Sequence, residues 1–450
     1  MKPGFYILMI VIVVSTLVAT ACGTSMSPAE LAQLPTGIWE GVQEAGDTDW
    51  SMTLNFDGCA TTNPCAKVYY VLCAGEFAFQ KDEKGEYVFQ ENITEHADQC
   101  FSGATVHVKY EGQNQPMTVS WLGEDGNVFT TATLRYLDPT ANPVIEGLGQ
   151  QVGLFHFEPG GYTNFNSFAV ADGTLWIPDS GHGKVLRYDI ATQKIVAEIQ
   201  VGDPSQATYG DPQFVAVSNG SVWVTQCAEK KLARIDPTTN QMMDSIQLDV
   251  EPYAIAIEGN TLWVTSFEPN QVLRVDTQTK QVVVIHDIDK PLGITVGGGA
   301  VWVAEHREGN LVRIDPATNT VAERIQLPDG STPENVIFVG DSVWVASNLG
   351  NSTSRIDSQT NDQTVISLPG RSVNVSEGGG FIWVTIPPEK DDEIDLSKYQ
   401  IAKIDPASNL VVHVYDFPGA SGSAYLDGVL WIDNRNDMSG DKLHGVKPVP

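Results

Sequence analysis

The stretch Gly299-Ala-Val-Trp-Val-Ala-Glu-His306, followed after four residues by Leu311-Val-Arg-Ile-Asp-Pro-Ala-Thr-Asn319, decides the fold because the chain repeats it. The first phrase returns as Gly220-Ser-Val-Trp-Val224 and Asp341-Ser-Val-Trp-Val345. The second returns as Leu232-Ala-Arg-Ile-Asp-Pro-Thr-Thr-Asn240 and Ile401-Ala-Lys-Ile-Asp-Pro-Ala-Ser-Asn409. Seven tryptophans carry the repeat: Trp176, Trp223, Trp263, Trp302, Trp344, Trp383 and Trp431, spaced by 47, 40, 39, 42, 39 and 48 residues. A period near forty residues marks an array of one supersecondary unit.

Each unit reads as four short strands. Strand A is typified by Phe214–Ser218, and a tight turn leads to strand B, which carries the Trp. Strand C carries Arg-Ile-Asp. The Asp-Pro-x-Thr-Asn turn suits type I geometry, with Pro fixing φ and the Asp side chain capping the turn. An alternating strand D follows, such as Val321–Leu327. One such sheet cannot bury both faces, whereas sheets packed face to face around an axis can. The seventh repeat has strands A (Gly422–Leu426) and B (Val429–Asp433) but no Arg-Ile-Asp phrase. The segment Gln150–Phe157 stands alone before the first repeat and is expected to complete that last sheet. The expectation is an all-β chain: a seven-bladed β-propeller over residues 150–450, behind a small N-terminal antiparallel β-barrel or sandwich.

That smaller domain, residues 35–138, alternates apolar and polar residues between turn signals. Eight strands are expected: Gly37–Glu44, Trp50–Phe56, Lys67–Cys73, Glu76–Gln80, Tyr87–Ile93, Ala104–Tyr110, Met117–Trp121 and Val128–Tyr136. The interior is expected to be a filled core or a pocket. Residues 139–149 read as a linker.

Residues 1–22 read as an export signal, with Lys2 before the apolar run Phe5–Val18. The run is short for a membrane span and ends in small residues before Cys22. An ordinary cleaved signal and an uncleaved anchor are the alternatives, and all three export the chain. Residues 23–34 read as a tether. Cys59, Cys65, Cys73 and Cys100 lie within about forty residues, the arrangement of two disulfides in an exported domain. Three connectivities are possible; Cys59–Cys65 with Cys73–Cys100 is favoured, because the first pair brackets a tight turn. Cys227 stands apart and is expected to be a buried free thiol. With 56 Asp and Glu against 26 Lys and Arg, the net charge of -30 argues against nucleic acid, which needs clustered cations.

Three resemblances attach to these residues. Ala19-Thr-Ala-Cys22 resembles a bacterial lipobox, which implies lipidation of Cys22 and a place on the outer side of the cytoplasmic membrane. Gly37-Ile-Trp-Glu-Gly41 resembles the opening of lipocalin-type barrels, and Cys73 with Cys100 resembles small Cys-bearing modules of bacterial surface proteins. The seven repeats resemble the bacterial propellers of the YVTN and streptogramin-lyase-like type, a likeness that implies the fold more than the function. The lyase resemblance implies acidic and histidine residues just after the Trp strand, with magnesium. Only Trp302-Val-Ala-Glu305-His306 matches it; the place of Glu305 is taken elsewhere by Asp179, Gln226, Ser266, Ser347, Ile386 and Asn434.

In a propeller the B–C and D–A loops gather on one face. Candidate binding residues there are Asp179, His182, Tyr209, Gln226, Glu305, His306, Arg307, Asn348, Asn434 and Arg435. The sequence carries no nucleophile elbow, phosphate loop, HExxH or EF-hand phrase. The expectation is a monomeric, lipid-anchored module that binds a protein or small-molecule ligand without catalysis or cofactor. A metal-dependent lyase or hydrolase, with Mg held by Glu305 and His306, is the first alternative. An envelope assembly scaffold, like the propeller lipoprotein that helps insert outer-membrane proteins, is the second.

Overall fold

The computed structural model describes residues 34–35, 38–45, 48–56, 66–70, 74–83, 86–95, 102–112, 115–123, 125–137, 144–145, 148–156, 167–203, 211–218, 220–388, 398–426, 428–434 and 442–448. Cys22, Cys59, Cys65, Cys73, Cys100, Tyr209, Arg435, Phe157 and residues 389–397 lie outside them, so the signal, lipidation and disulfide readings do too. Among the described residues there is no α-helix, and the fold is all-β.

Eight antiparallel strands form a closed barrel: β1 (Ile38–Ala45), β2 (Thr48–Asn55), β3 (Ala66–Tyr70), β4 (Ala74–Glu83), β5 (Glu86–Glu95), β6 (Thr105–Lys109), β7 (Met117–Leu122) and β8 (Val128–Leu137). The barrel-or-sandwich choice is settled by β1, which pairs with both β2 and β8 and leaves no edge. β4 and β5 run longer than the apolar alternation alone indicates, pairing out to Glu83 opposite Glu86. Inward positions alternate along each strand and fill the interior with Trp39, Phe56, Phe77, Phe89, Met117 and Trp121. Glu91 is buried among them and accepts the Trp121 indole N–H at 3.2 Å.

Seven sheets follow the barrel in sequence, six of four strands and one of five, and strands A to D of each blade are given in order. Blade 1 is Ala169–Ala171, Thr174–Asp179, Lys184–Asp189 and Lys194–Gln200. Blade 2 is Val215–Ser218, Ser221–Gln226, Lys231–Asp236 and Gln241–Gln247. Blade 3 is Ile255–Glu258, Thr261–Ser266, Gln271–Asp276 and Val282–Ile285. Blade 4 is Pro291–Gly297, Ala300–Glu305, Asn310–Asp315 and Thr320–Gln326. Blade 5 is Pro333–Val339, Ser342–Ser347, Ser352–Asp357 and Gln363–Ser367. Blade 6 is Asn374–Gly378, Phe381–Ile386, Gln400–Asp405 and Leu410–Asp416.

Blade 7 joins the two ends of the propeller chain. Its strands A to C are Ala420–Leu426, Val429–Asn434 and Lys442–Pro448, and its strand D is Gly149–His156. The pair Val144–Ile145 adds a short fifth strand. Strand A of every blade touches strand A of the next, and blade 7 touches blade 1, so the ring is closed.

The repeated Trp is the wedge between blades. Trp176 packs on Val222, Val224, Ala233 and Ile235 of blade 2. The same relation recurs around the ring until Trp431 packs on Leu175, Ile177, Leu186 and Tyr188 of blade 1. All seven indoles are at most 2% exposed. Removing one wedge ring of this size costs about 3–5 kcal/mol.

Candidate functional site

The strand ends expected to open the B–C loops are buried at Asp179, Gln226 and Glu305. Asp179, Gln226 and Glu305 still pair in register with Lys184, Lys231 and Asn310, so they belong to the ladder and the loops start one residue later. Each is at most 3% exposed. Burial obliges each polar end to find partners.

Glu305 finds several. Its Oε1 accepts the Asp289 backbone N–H at 3.0 Å, and its Oε2 accepts the Asn310 amide at 2.7 Å. The Arg324 guanidinium lies 3.4 Å away. The carboxylate therefore ties the loop before strand A of blade 4 to its strands C and D. His306 turns to another neighbour, its Nδ1 lying 3.2 Å from the Pro333 carbonyl of blade 5. Arg307 is exposed and pairs with Asp289 at 3.0 Å. Among the described residues no three His, Cys, Asp or Glu side chains are grouped to share a metal ion. A carboxylate with both oxygens committed to N–H donors, one of them cationic, does not fit a magnesium ligand.

In blade 1, Asp179 Oδ2 lies 2.8 Å from His182 Nδ1. Gln226 donates its amide to the Val201 carbonyl at 2.5 Å. Asn434 approaches His444 at 3.4 Å, and His444 reaches Gln151 of the closing strand at 2.9 Å. Asp179 and Asn434 thus hold their own blades together, whereas Gln226 ties strand B of blade 2 to the end of strand D of blade 1.

Asn348 is different. Its amide donates to Glu334 Oε1 at 2.6 Å, and its oxygen accepts from Arg371 at 2.6 Å. Glu334 follows the Pro333 that His306 contacts. His306, Glu334, Asn348 and Arg371 therefore form an arc across blades 4, 5 and 6.

Glu334 also lines a cavity of about 230 Å³ with Asn335, Phe214, Tyr253, Leu292 and Val373. These residues open strand A of blades 2 to 6 or stand just before it, so the cavity sits at the axial mouth on the B–C side. Phe214 and Tyr253 meet edge to face on its blade 2–3 side, and Tyr253 meets Phe267 in the same way, with ring centroids 4.9 and 5.1 Å apart. Asn335 holds the rim together by accepting the Val375 backbone N–H at 3.0 Å. The sequence reading missed this pocket. Its signal is an aromatic residue where other repeats begin strand A with small ones, as at Ser167, Ala254, Gly293 and Gly422.

Fold and mouth together define a seven-bladed β-propeller with an aromatic-walled axial pocket. Among solved structures the chain is similar to a streptogramin B lyase, at 19% identity and TM-score 0.55, covering 65% of this chain and 96% of that one. Virginiamycin B lyase from Staphylococcus aureus gives 20% identity and TM-score 0.54 over 66% of this chain and 99% of that one. The WD40 domain of Neurospora crassa Pan2 gives 13% identity and TM-score 0.54 over 68% and 98%. Lyases and a WD40 domain match alike, and at these identities the likeness shows the fold alone. No family model and no curated protein matches the chain.

Proposed function

We propose that the protein is a noncatalytic binding module of the bacterial envelope, exported by residues 1–22, lipidated at Cys22, and engaging its ligand at the axial mouth of the propeller. The observation that carries this reading is the mouth pocket, which Phe214 and Tyr253 line together with Glu334, itself held by the Asn348–Arg371 chain. A cavity of roughly 150 Å³ already accepts benzene. About 230 Å³ therefore suits one substituted ring or one bulky side chain, and falls short of the roughly 300–1,000 Å³ that encloses a drug-sized ligand. The reading is capture of one projecting group of a larger partner: the ring stacks on Tyr253, and a donor beside it meets Glu334.

The commitment of Glu305 to Asn310, Arg324 and the Asp289 amide supports binding over lyase chemistry. A similar solved structure is a catalytically inactive virginiamycin B lyase with quinupristin, and that ligand belongs to that enzyme.

The test is affinity capture from envelope extract, with wild-type, Tyr253→Ala and Glu334→Gln proteins compared side by side. The expected result is a specific partner lost with Tyr253→Ala and weakened by about tenfold with Glu334→Gln. Partner recovery indifferent to both substitutions rejects the mouth as the site. In the same cells Cys22→Ala is expected to release the protein from the membrane fraction.

A further inference from the structure

The face opposite the mouth holds a break in the repeat. In blades 1, 3 and 5 the strand C arginine lies over its own blade's Trp and reaches the C–D turn of the next blade. Arg187 donates to the Pro237 carbonyl and to Asn240 Oδ1, Arg274 to Pro316 and Asn319, and Arg355 to Pro406 and Asn409. Those three turns share Asp-Pro-x-x-Asn.

Blade 3 has a different turn, Asp276-Thr-Gln-Thr-Lys280, and Lys280 stands where the accepting Asn belongs. Arg234 of blade 2 covers Trp223 at 5.6 Å and donates Nε to Ser221 at 2.9 Å. Its two terminal nitrogens have no partner among the described residues. Lys280 turns back to Asp244 at 2.8 Å, and the other Asp244 oxygen is buried without a hydrogen bond.

A cavity of about 400 Å³ opens at this seam, lined by Arg234, Lys280, Asp244, Asn260, Thr277 and Gln278. The blade 4–5 seam also lacks the Pro turn, but there Phe338 lies against Gly297 and Gly298. Ile257 and Ser218 occupy the matching positions between blades 2 and 3 and leave the space open.

We infer that this seam is a second binding site, for a small hydroxylated carboxylate of the sugar-acid class. The free guanidinium fork of Arg234 and the Lys280 ammonium take the carboxylate, as such a fork matches two oxygens at once. The Asp244 carboxylate, which lines the cavity, takes a ligand hydroxyl. Asn260, Thr277 and Gln278 supply the further donors and acceptors that a polyol needs. The occupant completes what the Pro–Asn turn does in the neighbouring seams.

The test is calorimetric titration of the full chain with glucuronate, with glucose and acetate as the uncharged and hydroxyl-poor controls. One saturable site is expected, at least tenfold weaker for either control. Arg234→Gln is expected to weaken it by about tenfold or more, and Lys280→Gln, at an exposed position, by several-fold with an unchanged unfolding midpoint. Absence of a saturable response to glucuronate overturns the site, and equal binding of glucose or acetate overturns the ligand class. Affinity that survives both substitutions overturns the location. The site shares no residue with the mouth, so either reading can fail alone.

Discussion

Asp211 shows how one carboxylate can organise a loop at an electrostatic cost. It is 2% exposed and accepts the backbone N–H groups of Cys227 and Ala228 at 2.6 and 2.8 Å. Burial outweighs these bonds and pushes its pKa up to about 6. Between the ordinary value of 3.8 and about 6 the folded protein therefore holds a proton that the unfolded chain has released. The contribution of Asp211 to stability is greatest below that window and is lost as pH rises through it. The turn aspartates Asp189, Asp236, Asp276, Asp315, Asp357 and Asp405 act oppositely, since hydrogen bonds from their turns hold their carboxyls low. The diagnostic quantity is thus a difference. Denaturant unfolding at pH 4 to 7 is expected to show wild type losing stability relative to Asp211→Asn as pH rises; parallel curves would refute the assignment. Cys227 beside it is a free buried thiol pushed up to about 12, first by burial and then by Glu251 and Asp211, so it is a poor nucleophile.

At the scale of the element, the C–D turn divides the blades into two kinds. Asn319 and Asn361 both sit at left-handed φ, 58° and 62°, and both follow an Asp–x–x–Thr turn. Asn319 accepts from Arg274 at 2.8 Å, whereas the Asn361 oxygen is buried without a hydrogen bond. Alanine at either place incurs the same backbone strain, and only Asn319→Ala also removes an acceptor from a cation. Asn319→Ala is expected to cost about 1.5–3 kcal/mol more than Asn361→Ala in chemical denaturation, the worth of one charge-assisted hydrogen bond. Equal costs would mean that the arginine merely rests there.

The same scale explains what was legible. The seven Trp phrases and the period-two alternation of the barrel announce strands directly, because burial on one or both faces imposes them. Glu305-His306 read as a loop pair because a polar residue after a Trp strand resembles a rim; register with Asn310 places Glu305 inside instead. The mouth was hidden because Phe214, Tyr253 and Phe267 come from two different blades and share no phrase. The blade 2–3 cavity was written in Lys280, a single departure from the Asn pattern, yet its meaning needs the partner arginine from another blade.

For the whole molecule, closure governs. Strand D of blade 7 precedes every strand of blades 1 to 6, and the hydrogen bond from His444 to Gln151 spans 293 residues. Such a contact forms only after a long loop is closed, so the last seam is set late in folding. It is also tightly packed. A Cβ on Gly153 would lie 2.7 Å from the Trp431 ring, and one on Gly445 2.9 Å from it. Blade 7 thus accepts Trp431 only because strands C and D both offer glycine, where blades 1 to 5 place an arginine on strand C over their own Trp. Gly153→Val must displace either the ring or the closing strand, at about 1–3 kcal/mol or more. If the strand moves, the edge of Lys442–Pro448 is exposed and invites pairing with another chain. Gly153→Val is therefore expected to lower the unfolding midpoint and to populate dimers in size-exclusion chromatography. The equivalent Ala197→Val of blade 1, on an ordinary strand D, is expected to elute as the wild type does. A Gly153→Val protein with the wild type's elution and unfolding midpoint would mean that the ring is held shut by its seven Trp wedges alone.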